Sequence, residues 1–180
     1  KELFESEIEG CFLYSRHWNP SNKYLSDAIS ALENSEASQI TSSGISAIAC
    51  TILQICEQGD EIISSRTIYG GTYALFKNVL PKFGITVKFV DILDLSVVNK
   101  NITSKTKMVY CESISNPLLD VSDLPELSKI TKKHAIKLVV DNTFSPMAIT
   151  PINHGADIVI HSLTKFINGT SDCVAGSISS

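Results

Sequence analysis

The sequence predicts an α/β domain with a mostly parallel sheet flanked by helices. Two observations carry that reading. Short apolar, β-branched runs alternate along the chain with stretches of helical periodicity, each about a dozen residues long. Connections of that kind are right-handed crossovers, which leave the strands parallel and the helices on the sheet faces. A residue suited to chemistry also follows nearly every predicted strand, and the carboxyl ends of parallel strands are where such sheets bind ligands.

Residues 21–34, after Asn19 and Pro20, place Leu25, Ile29 and Leu32 at helical spacing. Residues 39–42 predict a short polar strand. Residues 45–56 predict an apolar helix closed by Gly59. A strand over 61–64 leads to a helix over 72–83 that Gly84 ends, and a strand follows over 85–90. A short helix over 95–102 and a strand over 107–111 come next. The helix over 124–134 tolerates Pro125 in its first turn. Residues 136–140 and 158–160 are strongly β-branched strands. Residues 174–178 read as a strand at which the sequence stops. That stop, and a first residue that is Lys rather than Met, read as the cut ends of a longer protein.

Composition narrows the function. The 180 residues are 43% hydrophobic, enough for one sizeable core. The net charge of −4 and the lack of a Lys/Arg cluster argue against nucleic acid as a partner. No apolar run reaches the length of a membrane span. Cys11, Cys50, Cys56, Cys111 and Cys173 are scattered without a C-x-x-C pair, which reads as reduced thiols in a cytoplasmic compartment. His17, His134, His154 and His161 show no metal-ligand spacing, so no metal is expected. There is no Walker A loop, G-x-G-x-x-G fingerprint or G-x-S-x-G elbow.

The strand ends carry the candidates. Ser43, Gly44 and Ile45 open a helix; Ser43 serves as a plain N-cap, and the free amides behind it equally suit a phosphate. Tyr69, beside Gly70 and Gly71, is either a turn residue or a ring offered to a planar ligand. Asn116 before Pro117 is turn chemistry or a ligand donor. Asp141 ends an apolar strand, as an Asx turn or as the counter-charge to a ligand cation. Ser162, Thr164 and Lys165 follow the last β-branched run. Taken jointly these are the needs of pyridoxal phosphate: an amine for its aldehyde, a carboxylate for its ring nitrogen, amides and hydroxyls for its phosphate, and an aromatic face for its ring.

Six segments, in order, carry a resemblance. They are Tyr14 and Arg16 with Asn19-Pro20; Ser43-Gly44-Ile45; Tyr69-Gly70-Gly71; Glu112 with Asn116-Pro117; Val140-Asp141-Asn142-Thr143; and His161-Ser162-Leu163-Thr164-Lys165. From Tyr14 to Gly176 the chain resembles the trans-sulfuration, or Cys/Met metabolism, family of pyridoxal-phosphate-dependent enzymes of fold type I. The resemblance implies a cofactor-binding large domain over 21–180 and an N-terminal segment over 1–20 that contacts a neighbouring subunit. The resemblance places the family's small C-terminal domain and its substrate-gripping Arg beyond the end of this sequence.

The resemblance also implies roles. Lys165 would hold the cofactor aldehyde as a Schiff base and shuttle protons. Ser43, Gly44, Ile45, Ser162 and Thr164 would hold the phosphate. Tyr69 would stack on the ring and assist acid–base chemistry, Asp141 would bind the ring nitrogen, and Asn116 would reach the ring oxygen. Tyr14 and Arg16 would reach the phosphate of the neighbouring subunit in a dimer of dimers. Leu163, Thr170 and the segment around Tyr14 resemble the plant-type methionine γ-lyase branch. The implied activity is carbon–sulfur lysis of L-methionine. The alternatives are a cystathionine γ-synthase, a cystathionine γ- or β-lyase, an O-acylhomoserine sulfhydrylase, or a cofactor-binding fragment that turns nothing over.

Overall fold

Six strands of one seven-stranded sheet run in the same direction, and that shared direction gathers their carboxyl ends on one edge. The computed structural model describes residues 11–15 and 18–180. In chain order the elements are α1 (Pro20–Glu33), β1 (Ser38–Thr41), α2 (Gly44–Ile55), β2 (Glu61–Ser65), α3 (Gly70–Ala74), β3 (Thr86–Val90), α4 (Leu95–Asn101), β4 (Thr106–Glu112), α5 (Leu124–Lys133), β5 (Lys137–Asp141), β6 (Ile158–His161) and β7 (Gly176–Ser179). The sheet order is β1-β7-β6-β5-β4-β2-β3. Pairing is parallel from β6 through β3, and β7 alone runs antiparallel, between β1 and β6.

The apolar runs are continuous because both sheet faces are covered. Alternate residues of each strand serve alternate cores. Ile62, Met108, Tyr110, Val139 and Ile160 pack under α2 and the helical run after Gly70, against Ala47, Ile48, Ile52, Phe76 and Leu80. Ile63, Val109, Cys111, Leu138, Val140 and Val159 pack on the other face against Val98 of α4 and Leu124 and Leu127 of α5. Burying each Leu, Ile or Val side chain is worth about 1.5–3 kcal/mol. All five cysteines are unpaired. Burial pushes the Cys56 thiol up to about 11 and the Cys111 thiol up to about 12, so both are inert core thiols.

The helix ends follow local chemistry. Asn19 caps α1 by accepting from the Asn22 amide at 2.8 Å, with Pro20 in the first turn, where its missing N–H costs nothing. Asp94 and Asp123 cap α4 and α5 in the same way. Two expectations needed correction. Gly59 does not close α2: Cys56 is the extended residue there, and Gly59, at φ 97°, makes the turn into β2. The stretch over 72–83 is not one α-helix either. It winds as α over Gly70–Ala74, as π over Leu75–Val79 and as 3₁₀ over Leu80–Phe83, before Gly84 turns out at φ 73°. Pro81 has no amide to give the carbonyl four residues back, so the coil rewinds ahead of it.

No described helix is long and apolar enough to cross a membrane. Among the described residues, no three His, Cys, Asp or Glu side chains gather as metal ligands.

Candidate active site

The candidates meet at the carboxyl edge of the sheet, linked by contacts that run from α2 to β4. Ser43 caps α2 through a reciprocal box with Ser46: Ser43 Oγ accepts from the Ser46 amide at 3.1 Å, and Ser46 Oγ accepts from the Ser43 amide at 2.9 Å. That arrangement leaves the Gly44 and Ile45 amides with no acceptor among the described residues. They point out of the N-terminus of a twelve-residue helix, where the dipole favours an anion.

Gly44 lies hard against Ser162. A Cβ on Gly44 would sit 2.6 Å from Ser162 Cβ and 2.9 Å from its Cα. Two open amides and the Ser162 side chain therefore form one cradle, and only glycine permits it. Gly44→Ala is expected to push the two segments apart. It should cost about 1–3 kcal/mol of stability, the scale of overpacking, and weaken pyridoxal 5′-phosphate binding in a spectroscopic titration. Unchanged affinity in a folded variant would show that the cradle is not used.

From Ser162 the links continue across the sheet. The Ser162 amide donates to Thr143 Oγ1 at 2.8 Å, and the Thr143 amide donates to Asp141 Oδ1 at 3.0 Å. Asp141 is 8% exposed and accepts a second bond on Oδ2, from the Tyr110 hydroxyl at 3.1 Å. Burial, then the charges of Asp141 and Glu112, raise the Tyr110 phenol well above its ordinary value, so it remains the donor. A carboxylate with two fixed donors has lone pairs left for a third, which suits a protonated ring nitrogen.

Lys165 lies in the turn after β6, its side chain exposed and without a hydrogen bond or ion pair among the described residues. Its amide closes on the Ser162 carbonyl at 3.1 Å, which fixes the turn. Thr164 is already engaged. Its hydroxyl donates to the Ala175 carbonyl at 3.1 Å and accepts from the Ala175 amide at 3.0 Å. It pins the lysine turn to the approach to β7, and donating to a phosphate would require release of that carbonyl.

Glu112 is the residue whose part the sequence does not reveal, since there it figures only as an element of a motif. It is 6% exposed and ends β4 in register with Asp141. Its Oε1 accepts from the Tyr69 amide at 2.6 Å and its Oε2 from the Asn116 amide at 3.0 Å. One side chain thus holds both loops. Burial pushes its carboxyl up to about 7; the Tyr69 amide pulls it back and the Asp141 charge raises it further. Tyr69 itself is half-exposed at the start of α3, with its ring directly over Gly71, where a Cβ would come 2.5 Å from Cε1. The Asn116–Pro117 peptide is cis, and Asn116 is exposed. Tyr14 is exposed ahead of α1, and Arg16 lies outside the described residues.

The arrangement fits pyridoxal 5′-phosphate. The amides and Ser162 would take the phosphate, Asp141 the ring nitrogen, and Lys165 the aldehyde. Comparison with known proteins points the same way. Methionine γ-lyase of Arabidopsis thaliana is 45% identical over 183 residues, covering 99% of this chain and 42% of that protein. O-acetyl-L-homoserine sulfhydrylase of Leptospira meyeri is 43% identical over 167 residues, covering 92% and 38%. The chain therefore spans less than half the length of these relatives. The crystal structure of cystathionine γ-lyase from Lactobacillus plantarum, complexed with L-serine, superposes with a TM-score of 0.92 at 35% identity, over 96% of this chain and 45% of that one. The family model described as Cys/Met metabolism PLP-dependent enzyme matches residues 1–180, and with these relatives it establishes that the chain belongs to that family.

Proposed function

We propose that the protein containing this chain is a pyridoxal-phosphate-dependent carbon–sulfur lyase that converts L-methionine and water to methanethiol, 2-oxobutanoate and ammonia. The observation that carries the reading is the linked edge from the Gly44 and Ile45 amides through Ser162 and Thr143 to Asp141, with Lys165 in the adjoining turn. The choice of methionine leans on the plant relative.

When bound, the cofactor supplies an electron sink for charge that develops at the substrate's α-carbon. This chain's residues do the rest. The Gly44 and Ile45 amides and Ser162 anchor the phosphate end. Asp141, braced by Thr143 and Tyr110, keeps the ring nitrogen protonated by offering it a fixed negative charge. The Lys165 amine would hold the cofactor's aldehyde end and, once free, would take the proton from the substrate's α-carbon. Tyr69, whose amide Glu112 holds, would stack on the ring and give a proton to the departing sulfur. The reading extends to a dimer of dimers, in which Tyr14 and Arg16 reach the phosphate of a neighbouring subunit, and to a cytoplasmic setting that suits five unpaired thiols.

The test is product analysis of the parent protein given L-methionine, L-cystathionine, or O-acetylhomoserine with sulfide. Methanethiol and 2-oxobutanoate in equal amounts from methionine are expected. Turnover of the other substrates with no thiol from methionine would sink the substrate and favour the sulfhydrylase reading that the Leptospira meyeri relative supports. Bound cofactor without any turnover would favour a binding fragment.

A further inference from the structure

A buried carboxylate outside the cofactor's reach ties together the two segments that would hold it. Glu33, in the last turn of α1, is 1% exposed. Its Oε1 is hydrogen-bonded to His161 Nε2 at 2.5 Å and accepts from Asn142 Nδ2 at 3.1 Å. These are not arbitrary partners. Asn142 directly follows Asp141, and His161 directly precedes Ser162 in the turn that carries Lys165.

The hub is fixed from other sides as well. Asn142 Nδ2 also donates to the Ile149 carbonyl at 2.9 Å, while its Oδ1 accepts from Ser113 Oγ at 2.7 Å and Ser145 Oγ at 2.9 Å. The Asn142 amide donates to the Ile160 carbonyl at 2.8 Å. By contrast, Glu33 Oε2 and His161 Nδ1 are buried with no partner among the described residues. A carboxylate left half-satisfied in the interior is an expensive way to fill space; an apolar side chain of the same size costs less there. What the carboxylate adds is direction: one acceptor atom draws two strand ends to a common point.

We propose that Glu33 is a positioning residue of the cofactor site, setting the spacing between the Asp141 and Lys165 segments through Asn142 and His161. The proposal rests on the reading of that site given above. Glu33, buried at 1% exposure, would act on the cofactor through two neighbours of the residues proposed to hold it. It also makes the N-terminal helix part of the site, 109 positions from Asn142 and 128 from His161.

The test uses the parent protein, pyridoxal 5′-phosphate as the probe, and three variants. Glu33→Gln keeps an acceptor oxygen at the same reach. Glu33→Asp keeps the carboxyl group but is one methylene shorter. Glu33→Leu keeps the volume and loses the acceptor. Three quantities are read: cofactor affinity by titration of visible absorbance, the pH midpoint of that absorbance, and the melting temperature without cofactor. Glu33→Asp and Glu33→Leu are expected to weaken affinity about tenfold, the scale on which outer partners act on the groups they orient, and to move the pH midpoint. Glu33→Gln is expected to restore both. A purely structural role would lower the melting temperature and leave affinity and midpoint unchanged, and that result overturns the proposal. If the leucine variant does not fold, the aspartate and glutamine pair carries the test alone. A parent protein whose absorbance borohydride cannot fix on Lys165 fails the reading of the site itself, and the proposal with it.

Discussion

Lys165→Ala is expected to leave the fold intact and remove the function. The side chain is exposed and makes no hydrogen bond or ion pair among the described residues, whereas Lys23, Lys88, Lys107, Lys129 and Lys137 each pair with a carboxylate. Removing an exposed, unengaged side chain changes stability by about 0.5 kcal/mol or less. The Lys165 backbone, which fixes the turn through its amide on Ser162 and its carbonyl under the Gly169 amide at 2.9 Å, is untouched by the substitution. Loss of activity would therefore not be loss of structure. In the reaction proposed above, methanethiol release should fall about a thousandfold or more, since the proposed proton-transfer group and covalent anchor go together. Borohydride should no longer attach the cofactor to the chain, while the proposed phosphate cradle and Asp141 should still let it bind reversibly. Attachment that survives in Lys165→Ala would place the anchor on another amine.

Most elements are legible in the sequence because their signals are local. A β-branched run such as 136–140 has to be a strand, and it emerges as Lys137–Asp141. Ser43 ahead of an apolar stretch has to begin a helix, and it does, capping the helix and exposing its amides at once; the two readings of Ser43 are one fact. What stays hidden is non-local or a matter of winding. The antiparallel course of β7 is set by its place between β1 and β6, which no local pattern encodes. The π-turn over Leu75–Val79 keeps a helical hydrophobic pattern, so periodicity cannot report it.

The site divides along the same line. Residues that stand at strand ends can be named from the sequence, because a parallel sheet brings every such end to one edge. Residues that hold those ends in place cannot. The sequence offers Thr164 as a phosphate ligand, and its hydroxyl is spent on both backbone groups of Ala175, eleven positions away. Glu112 binds two loops whose amides lie 43 positions before it and four after it. In the sequence it figures only in the motif with Asn116-Pro117, whereas Asp141 draws attention as a charge that ends an apolar run. The two carboxylates prove to be register neighbours at the ends of β4 and β5.

That neighbourhood sets the second large effect, a pH dependence of stability that Glu112→Gln should erase. Burial raises the folded-state Glu112 carboxyl from an ordinary 4.5 to about 7. Between those values the folded protein holds a proton that the unfolded chain has released. The stabilisation is therefore fully present below about pH 4.5 and is lost as pH rises through about 7. The whole excursion is worth about 3 kcal/mol, at about 1.36 kcal/mol for each pH unit between the two values. Gln has nearly the same shape and no charge to desolvate, so the difference in unfolding free energy between parent and variant should slope across that window and flatten above pH 7. Denaturant unfolding without cofactor at several pH values measures it directly, and parallel curves would show that the Glu112 proton does not matter. The amide also keeps one acceptor oxygen where the carboxylate had two, so either the Tyr69 or the Asn116 amide loses its partner. The variant's stability should thus stop falling with this proton as pH rises to 7, while it binds cofactor more weakly. A residue that served folding alone would not separate the two.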